Sequence, residues 1–438
     1  MFETLKNVFR VKDMRRKLLY VVWMILIIRI GSQLPVPGVD SDFFKDWFAN
    51  NAGDAFNFFD AFTGGSFTQM SIFALNITPY ITSSIIMQLL TIAIPALEEM
   101  HRDGEEGRKK ITAITRYVTV GLALFESVAM AIGFGRQGLI PDLNFLKGLV
   151  VVVCLTAGSA MLMWIGERIT EKGVGNGISI VLTVNIVSRI PSDLSLLYEN
   201  FIKGKTIAKG MLAGVVIAAI ILVVVVFVLI LNGAERRIPV QYSKKMVGRK
   251  MMGGQSTNIP LKVNTAGVIP IIFASSIMSF PTVIAQLMGK GNGTGIGSEI
   301  LRGLSSNNWC NPAQLQYTWG LLVYIILCVF FAYFYTSITF NPLEVADNIK
   351  KQGGFIPGIR PGKPTSDYLT KILNYIIFIG AVGLIIVAVI PFFFNGVFGA
   401  NVSFGGTSII IIVGVVLDTV KQIESQMLVR NYKGFLSN

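Results

Sequence analysis

Residues 60–95 read DAFTGGSFTQMSIFALNITPYITSSIIMQLLTIAIP, and this stretch predicts how the rest of the chain is arranged. Its first third, which contains Gly64 and Gly65, is too polar and too rich in glycine to cross a bilayer. The remainder, residues 72–94, is long enough to cross, because about 20 apolar residues span a membrane. It nevertheless carries several polar groups and a proline, which are Asn76, Thr78, Pro79, Thr82, Ser83, Ser84, Gln88 and Thr91.

A span surrounded only by lipid has no partners for so many hydrogen-bonding groups. We therefore expect a short, broken segment that leads into a half-polar helix, and we expect this helix to line a cavity or a movable interface. The alternative is a kinked helix whose hydroxyl groups bond to its own carbonyls.

The composition of the chain is that of a membrane protein. Of its 438 residues, 52% are hydrophobic and 14% are charged, whereas a soluble domain carries about 25% charged residues. Apolar runs recur from one end of the chain to the other, which predicts one polytopic membrane domain. The first run follows a basic segment and is not followed by a small-residue cleavage site, so we expect a retained span and not a signal peptide.

Few residues of the chain are suited to metal binding or to acid–base catalysis. There are three cysteines, Cys154, Cys310 and Cys328, and one histidine, His101. No two cysteines have C-x-x-C spacing, so neither a disulfide framework nor a zinc site is indicated. We therefore expect no metal site, no cofactor and no enzymatic activity.

The apolar segments predict ten membrane spans. They lie at about 18–34, 72–94, 112–133, 148–166, 176–191, 208–232, 265–288, 316–340, 371–391 and 406–428. An even number of spans places both termini on the same side of the membrane. Lysine and arginine are concentrated in the connections on that side, and the positive-inside rule makes it cytoplasmic.

Five spans in each half, 1–195 and 196–438, would make the second half inverted relative to the first if the two folds are related.

Two cytoplasmic connections are long, about 232–264 and 341–370. They contain turn residues, prolines and arginines, and this mixture predicts ordered, protruding hairpins that serve as docking sites. The alternative is that their basic residues only set the orientation and bind lipid headgroups.

Charged residues inside the predicted spans are few. Arg29, Glu126 and Asp418 are the candidates, and no pair of acidic residues is spaced as a proton relay would require. The stretch Gly204-Lys205-Thr206 resembles the end of a phosphate-binding loop. The motif needs glycine five residues before Gly204, but that residue is Glu199, so a nucleotide site is not supported. These observations argue against an ion-coupled solute transporter and an intramembrane enzyme, but from the residues alone a channel and a transporter both stay open.

Several stretches resemble, in the same order, the SecY family of protein-conducting channels of the Sec translocon. They are PYITSSIIMQLLT (79–91), WIGERITEKGVGNGISI (164–180), RRIPVQY (236–242), PLKVNTAGVIPIIFASSI (260–277), NPLEVADNIKKQGGFIPGIRPG (341–362) and FGGTS (404–408). The resemblance extends from the second span to the tenth.

The resemblance implies an all-α polytopic membrane protein with ten transmembrane helices, in two inverted five-helix halves around a central hourglass pore. The waist of the pore would be a ring of aliphatic side chains, which are Ile81, Ile85, Ile178, Leu182, Ile272 and Ile411. Leu182 departs from the isoleucine that is common in the family at that position. Residues at about 60–71 resemble the plug that rests below this ring, with Phe62, Thr63, Gly64, Gly65, Ser66 and Phe67 at its centre.

The resemblance also implies a lateral gate that opens toward lipid, and docking sites on the cytoplasmic loops. The gate positions are Gln88, Thr91, Asn264, Ser276 and Phe280, and the docking positions are Arg360, Arg249 and Lys250. The implied partners are the SecE and SecG subunits, the SecA ATPase, the ribosome, signal sequences, unfolded polypeptides and membrane lipids. No nucleotide would bind directly, and the location would be the bacterial plasma membrane.

Overall fold

The computed structural model describes residues 11–40, 44, 60, 63–136, 144–203, 207–242, 245–247, 250–252, 256–287, 295–305, 308–310, 312, 314–398 and 406–435. Its helices are α1 Lys12–Gly31, α2 Thr78–Ala93, α3 Pro95–Arg102, α4 Gly104–Arg136, α5 Phe145–Lys172, α6 Gly177–Phe201, α7 Ile207–Gly233, α8 Ile269–Leu287, α9 Ile296–Leu304, α10 Trp319–Thr339, α11 Pro342–Lys351, α12 Lys363–Phe398 and α13 Gly406–Phe435. Its strands are β1 Glu235–Tyr242, β2 Lys245–Val247, β3 Lys250–Met252, β4 Ser256–Lys262 and β5 Gly354–Phe355.

Each predicted span overlaps a helix, and the fold class is that of a helical membrane protein. In the described part of the chain, six helices are long and apolar enough to cross a membrane, or seven if the bent pair α2–α3 forms one span. The remaining predicted spans correspond to α1, α8 and α13. The exact number of ten transmembrane helices therefore stays a prediction.

The second predicted span, 72–94, is shorter than the sequence indicated. The chain turns through residues 72–77, with Asn76 in a left-handed conformation at a φ of 52°. Helix α2 begins next to Pro79, because proline is well placed in a first helical turn. It ends at Ala93. The next residue, Ile94, is extended because it precedes Pro95, and α3 then departs at 106°. The 16 residues of α2 rise about 24 Å, less than the thickness of a hydrocarbon core.

By packing, the chain divides into two compact units. The first consists of Met1–Ser195, Thr282–Ser298 and Val415–Asn438, and the second of Leu196–Pro281 and Glu299–Gly414. Whether the two halves of the sequence are inverted repeats stays a prediction.

The first unit has two apolar centres. One is an aromatic cluster formed by Phe44, Phe67 and Phe134, which packs beside Leu155 of α5. The other joins α1, α2, α5 and α6, and its fully buried residues include Ile28, Ile77, Leu162 and Val181. Both centres lie against residues 63–77, so the broken segment is packed between helices.

The second unit has a large apolar core to which α7, α8, α10, α12 and α13 contribute. Val228, Ile271, Tyr324, Leu384 and Ile410 are its representative buried residues. The apolar parts of these helices carry few charges, which is why their positions could be predicted from the hydrophobicity of the sequence.

The two long connections form one subdomain instead of two hairpins. The first is a hairpin, as predicted, since β1 pairs antiparallel with β4. The second, 341–370, was predicted as a hairpin as well, and this is wrong. It forms helix α11 and then strand β5, which adds to the free edge of β1. Together, β1, β4, β5, α11 and the first turns of α12 make up what we call the loop subdomain.

The loop subdomain has its own core, which follows from the alternation in β1. Ile238 and Val240 are buried, and the residues beside them in the strand are exposed or half-buried. Leu261 from β4, Ile349 from α11 and Leu369 from α12 complete this core. The two connections are therefore held in one ordered arrangement by apolar contacts.

Candidate functional site

Four of the six predicted pore residues lie in the first unit. Ile81 and Ile85 are one turn apart on α2, and Ile178 and Leu182 are one turn apart on α6. Ile81, Ile178 and Leu182 contact the same apolar centre of that unit. Three of the four thus belong to one aliphatic cluster shared by α2 and α6.

The turn before α6 determines where Ile178 and Leu182 point. Asn176 caps the helix, because its side-chain oxygen accepts hydrogen bonds from the backbone nitrogens of Ile178 and Ser179 at 3.1 and 3.3 Å. Gly177 lies against the carbonyl of Gly166, so a side chain at this position would overlap the backbone of α5. The close packing of α5 on the start of α6 therefore depends on this glycine.

The remaining two pore residues lie in the second unit. Ile272 is on α8 and is half-buried, next to Ile271, which belongs to the core. Ile411 is on α13 and is only 4% exposed. The closure of all six side chains into one ring stays a prediction.

The predicted plug is a compact turn structure packed inside the first unit. Gly64 and Gly65 have φ angles of 67° and 85°, which is the left-handed region that favours glycine. Thr63 and Ser66 are 2% exposed. The backbone nitrogen of Phe67 donates to the Thr63 hydroxyl at 3.2 Å. Phe62 lies outside the described residues.

The aromatic cluster provides an apolar anchor for the same segment. The ring of Phe67 meets those of Phe44 and Phe134 edge-on, with centroids 6.3 and 6.2 Å apart. Such aromatic pairs contribute about 0.5–1.5 kcal/mol beyond the area that they bury.

The first unit also contains an ion-pair network that the sequence did not predict. The carboxylate of Asp60, which is 1% exposed, pairs with Arg189 of α6. Arg189 also lies 3.8 Å from the carboxylate of Asp193, one helical turn further along. The sequence predicts that the fifth span ends at 191, but α6 continues through Pro191 to Phe201. The spacing of Arg189 and Asp193 is the signal that could have indicated a helix there.

Hydrogen bonds between side chains connect α6 to α1 and to the turn that precedes α2. Arg29 donates to the Ser188 hydroxyl at 3.0 Å, and the Asn185 amide donates to the Asn76 side chain at 2.9 Å. The sequence places Arg29 among the few charged residues inside the predicted spans. Its role here is that of a hydrogen-bond donor to a helix that lies far away in the sequence.

The predicted gate residues have different environments within their own units. Gln88 and Ser276 are exposed, and the hydroxyl of Thr91 donates to the Met87 carbonyl of its own helix at 2.7 Å. The Asn264 amide donates to the Asn232 side chain at 2.7 Å. The side chain of Phe280 lies outside the described residues. The sequence did not single out Asn232 as a partner of Asn264.

Of the three predicted docking residues, the structure describes the side chain of Arg360 alone. Arg360 is exposed in the turn between β5 and α12, and its carbonyl accepts a hydrogen bond from the Thr365 hydroxyl at 2.9 Å. Lys250 is in β3, and its side chain is outside the described part of the chain, as is all of Arg249.

Within the described ranges, no group of three or more His, Cys, Asp and Glu residues is placed to hold a metal ion. The three cysteines are unpaired. Burial raises the pKa of the Cys310 thiol, so this side chain carries less thiolate than a free cysteine would.

Comparison with known proteins gives one consistent result. A family model described as SecY matches residues 71–420. The protein translocase subunit SecY of Halalkalibacterium halodurans is 44% identical over 443 aligned positions, covering 100% of both chains. That of Mycobacterium bovis is 44% identical over 444 positions, covering 98% of both.

Solved structures share the fold at lower identity. The structure of a protein-conducting channel superposes with a TM-score of 0.66 at 19% identity, covering 94% of this chain and 92% of the other. Sec61 in the canine ribosome–channel complex from the endoplasmic reticulum gives a TM-score of 0.62 at 18% identity, with the same coverage. These matches concern the fold alone, whereas the full-length matches at 44% identity and the family model establish the family. The chain belongs to the SecY family.

Proposed function

We propose that this chain is the central channel subunit through which unfolded secretory polypeptides cross the bacterial plasma membrane and membrane proteins enter it sideways. The observation that carries the proposal is the match along the full length to protein translocase subunits at 44% identity. An ion-coupled solute transporter is not favoured, because the relatives matched along the whole chain are translocase subunits.

The proposed constriction consists of the six aliphatic side chains, in a ring between two inverted five-helix halves that together supply ten spans. Ile81, Ile178 and Leu182 support this, since they already share one cluster in the first unit. Aliphatic groups make no strong directional contacts, so peptides of any sequence would be able to pass them. They would also exclude water and ions in the resting state, as hydrophobic constrictions do in channels.

The proposed lateral gate depends on polar groups that lose their partners when it opens. The side-chain oxygen of Asn264 is buried and has no hydrogen-bond partner among the described residues. A buried polar group without a partner is unfavourable by about 1–3 kcal/mol. We propose that Gln88 and Thr91 supply the missing partner in the closed gate, and that an entering signal helix replaces this bonding by apolar contact. Ser276 and Phe280 would lie near the same gate.

The energy for transport would come from partners, which agrees with the expected absence of enzymatic activity. The loop subdomain would dock the SecA ATPase or the ribosome through Arg360, with Arg249 and Lys250 as secondary contacts. Solved relatives of this fold, canine Sec61 and yeast Ssh1, are bound to ribosomes in their own complexes. SecE and SecG would complete the translocase, and both termini of the chain would be cytoplasmic.

A photo-crosslinking amino acid at Ile272 tests the channel directly. A secretory chain stalled in transit should crosslink to this position in an ATP-dependent manner. The same probe at Ile326, which is 66% exposed on α10, should give no crosslink to the stalled chain. Crosslinks at Ile326 but not at Ile272 would mean that the polypeptide passes outside the proposed path.

A further inference from the structure

Arg189 connects the segment around Asp60 to helix α6 by charge. The carboxylate of Asp60 is buried, and within the described chain it forms an ion pair with Arg189. A buried carboxylate requires such a partner, because removal of one member of a buried pair leaves an uncompensated charge. Asp60 also fixes the following turn, since its side chain accepts a hydrogen bond from the backbone nitrogen of Thr68 at 3.0 Å. The position of residues 63–68 is thus coupled to the pair.

Arg189 has a second acidic neighbour on its own helix. The Arg189 Nε and Asp193 Oδ1 are 3.8 Å apart, and Asp193 is 2% exposed. When Asp60 moves away, Arg189 therefore keeps a carboxylate beside it. The arginine, whose side chain is 21% exposed, can exchange one partner for the other without being left as an unpaired, partly buried charge, which would be unfavourable.

From this geometry we infer that Arg189 is a positioning residue that latches the plug segment to α6 and releases it by transferring its ion pair from Asp60 to Asp193. The inference rests on the proposed channel function, because a plug has a role only in a channel. Next to the latch is a second attachment made of hydrogen bonds and not of an ion pair: the Ser188 hydroxyl donates to the Gly64 carbonyl at 3.4 Å and accepts from Arg29.

The latch makes different predictions for its two carboxylates. Asp60→Asn removes the closed-state partner, so the resting ion conductance of the full chain, reconstituted in planar bilayers with its partner subunits, should rise at least about tenfold. Asp193→Asn removes the open-state partner, so resting conductance should not rise, and the start of motor-driven translocation should become slower. Arg189→Lys keeps the charge and should raise conductance less than Arg189→Gln.

Helix α6 also offers a matched control. Glu199 and Lys203 form an ion pair with the same type of spacing, 3.3 Å apart, but their side chains are 57% and 66% exposed. Exposed pairs contribute little, so Glu199→Gln should leave conductance and translocation at wild-type values. Thermal unfolding of each variant, followed in detergent, separates a release of the plug from a general loss of structure.

The possible outcomes distinguish the latch from the channel itself. If the wild type translocates a secretory polypeptide but Asp60→Asn conducts like the wild type, the latch is overturned and the channel function stands. If Asp193→Asn raises conductance as much as Asp60→Asn, the pairs are only structural and the exchange is overturned. If the wild type translocates no polypeptide, the proposed function fails, and the latch fails with it.

Discussion

Replacing Gly64 by alanine tests whether close packing against α6 holds the proposed plug in place. Gly64 and Gly65 both have positive φ angles, so alanine at either position meets the same backbone strain. Their surroundings differ. A Cβ added to Gly64 would overlap the backbone carbonyl of Asn185 and lie 2.7 Å from the Ser188 hydroxyl, whereas one added to Gly65 meets no atom of the described structure within 4 Å.

The expected energies follow from this difference. The left-handed conformation destabilises alanine by about 1–2 kcal/mol at both positions. Overpacking adds about 1–3 kcal/mol at Gly64 alone, because the atom in the way belongs to the backbone of α6 and cannot rotate aside. The ratio of docked to undocked segment should therefore be lower in Gly64→Ala than in Gly65→Ala by a factor of about 5 to 150.

Ion conductance of the reconstituted translocase measures this difference without a substrate. Gly64→Ala should give a higher resting conductance than Gly65→Ala, which in turn should be slightly above the wild type. Equal conductance in the two alanine variants would refute the packing argument, because the strain common to both would then account for the whole effect.

Three further substitutions test other parts of the molecule. Leu261→Ala, in the core of the loop subdomain, should destabilise that core by about 2–5 kcal/mol in hydrogen-exchange or thermal measurements. Leu343→Ala, at a site that is 62% exposed, should change stability by less than about 0.5 kcal/mol, and equal effects would contradict the assigned core. Arg360→Glu, at an exposed site, should leave thermal unfolding unchanged and block motor-driven export, so that normal export would rule out the contact. Ile411→Asn should place a polar group in the constriction and allow export with defective signal sequences, and an unchanged signal requirement would argue against the ring.

Much of the helical framework was predictable from local hydrophobicity. The sixth predicted span, 208–232, corresponds to α7 at Ile207–Gly233, and the tenth, 406–428, begins where α13 begins. A backbone in lipid must satisfy its own hydrogen bonds, so a sufficiently long apolar run is committed to a helix whatever surrounds it. The sequence motifs also identified the family.

Helix ends were less predictable when a proline or a charge lay close to them. The fifth predicted span ends at 191, yet α6 continues through Arg189 and Pro191 to Phe201. A buried carboxylate compensates the arginine, and this compensation comes from Asp60, far away in the sequence. In the opposite case, residues 72–77 are apolar except for Asn76 but form turns, since this part of the chain packs against neighbouring helices and is not itself helical.

The sequence by itself determined most of the helical segments, and through its motifs which family the chain belongs to. Only the tertiary structure decided that β5 pairs with β1, that Asn264 bonds to Asn232 and that Asp60 pairs with Arg189. The physical reason is the range of the interactions. Hydrophobic burial and helical hydrogen bonds depend on residues close together in the chain, whereas the partner of a buried polar or charged group depends on which distant segments the fold brings beside it.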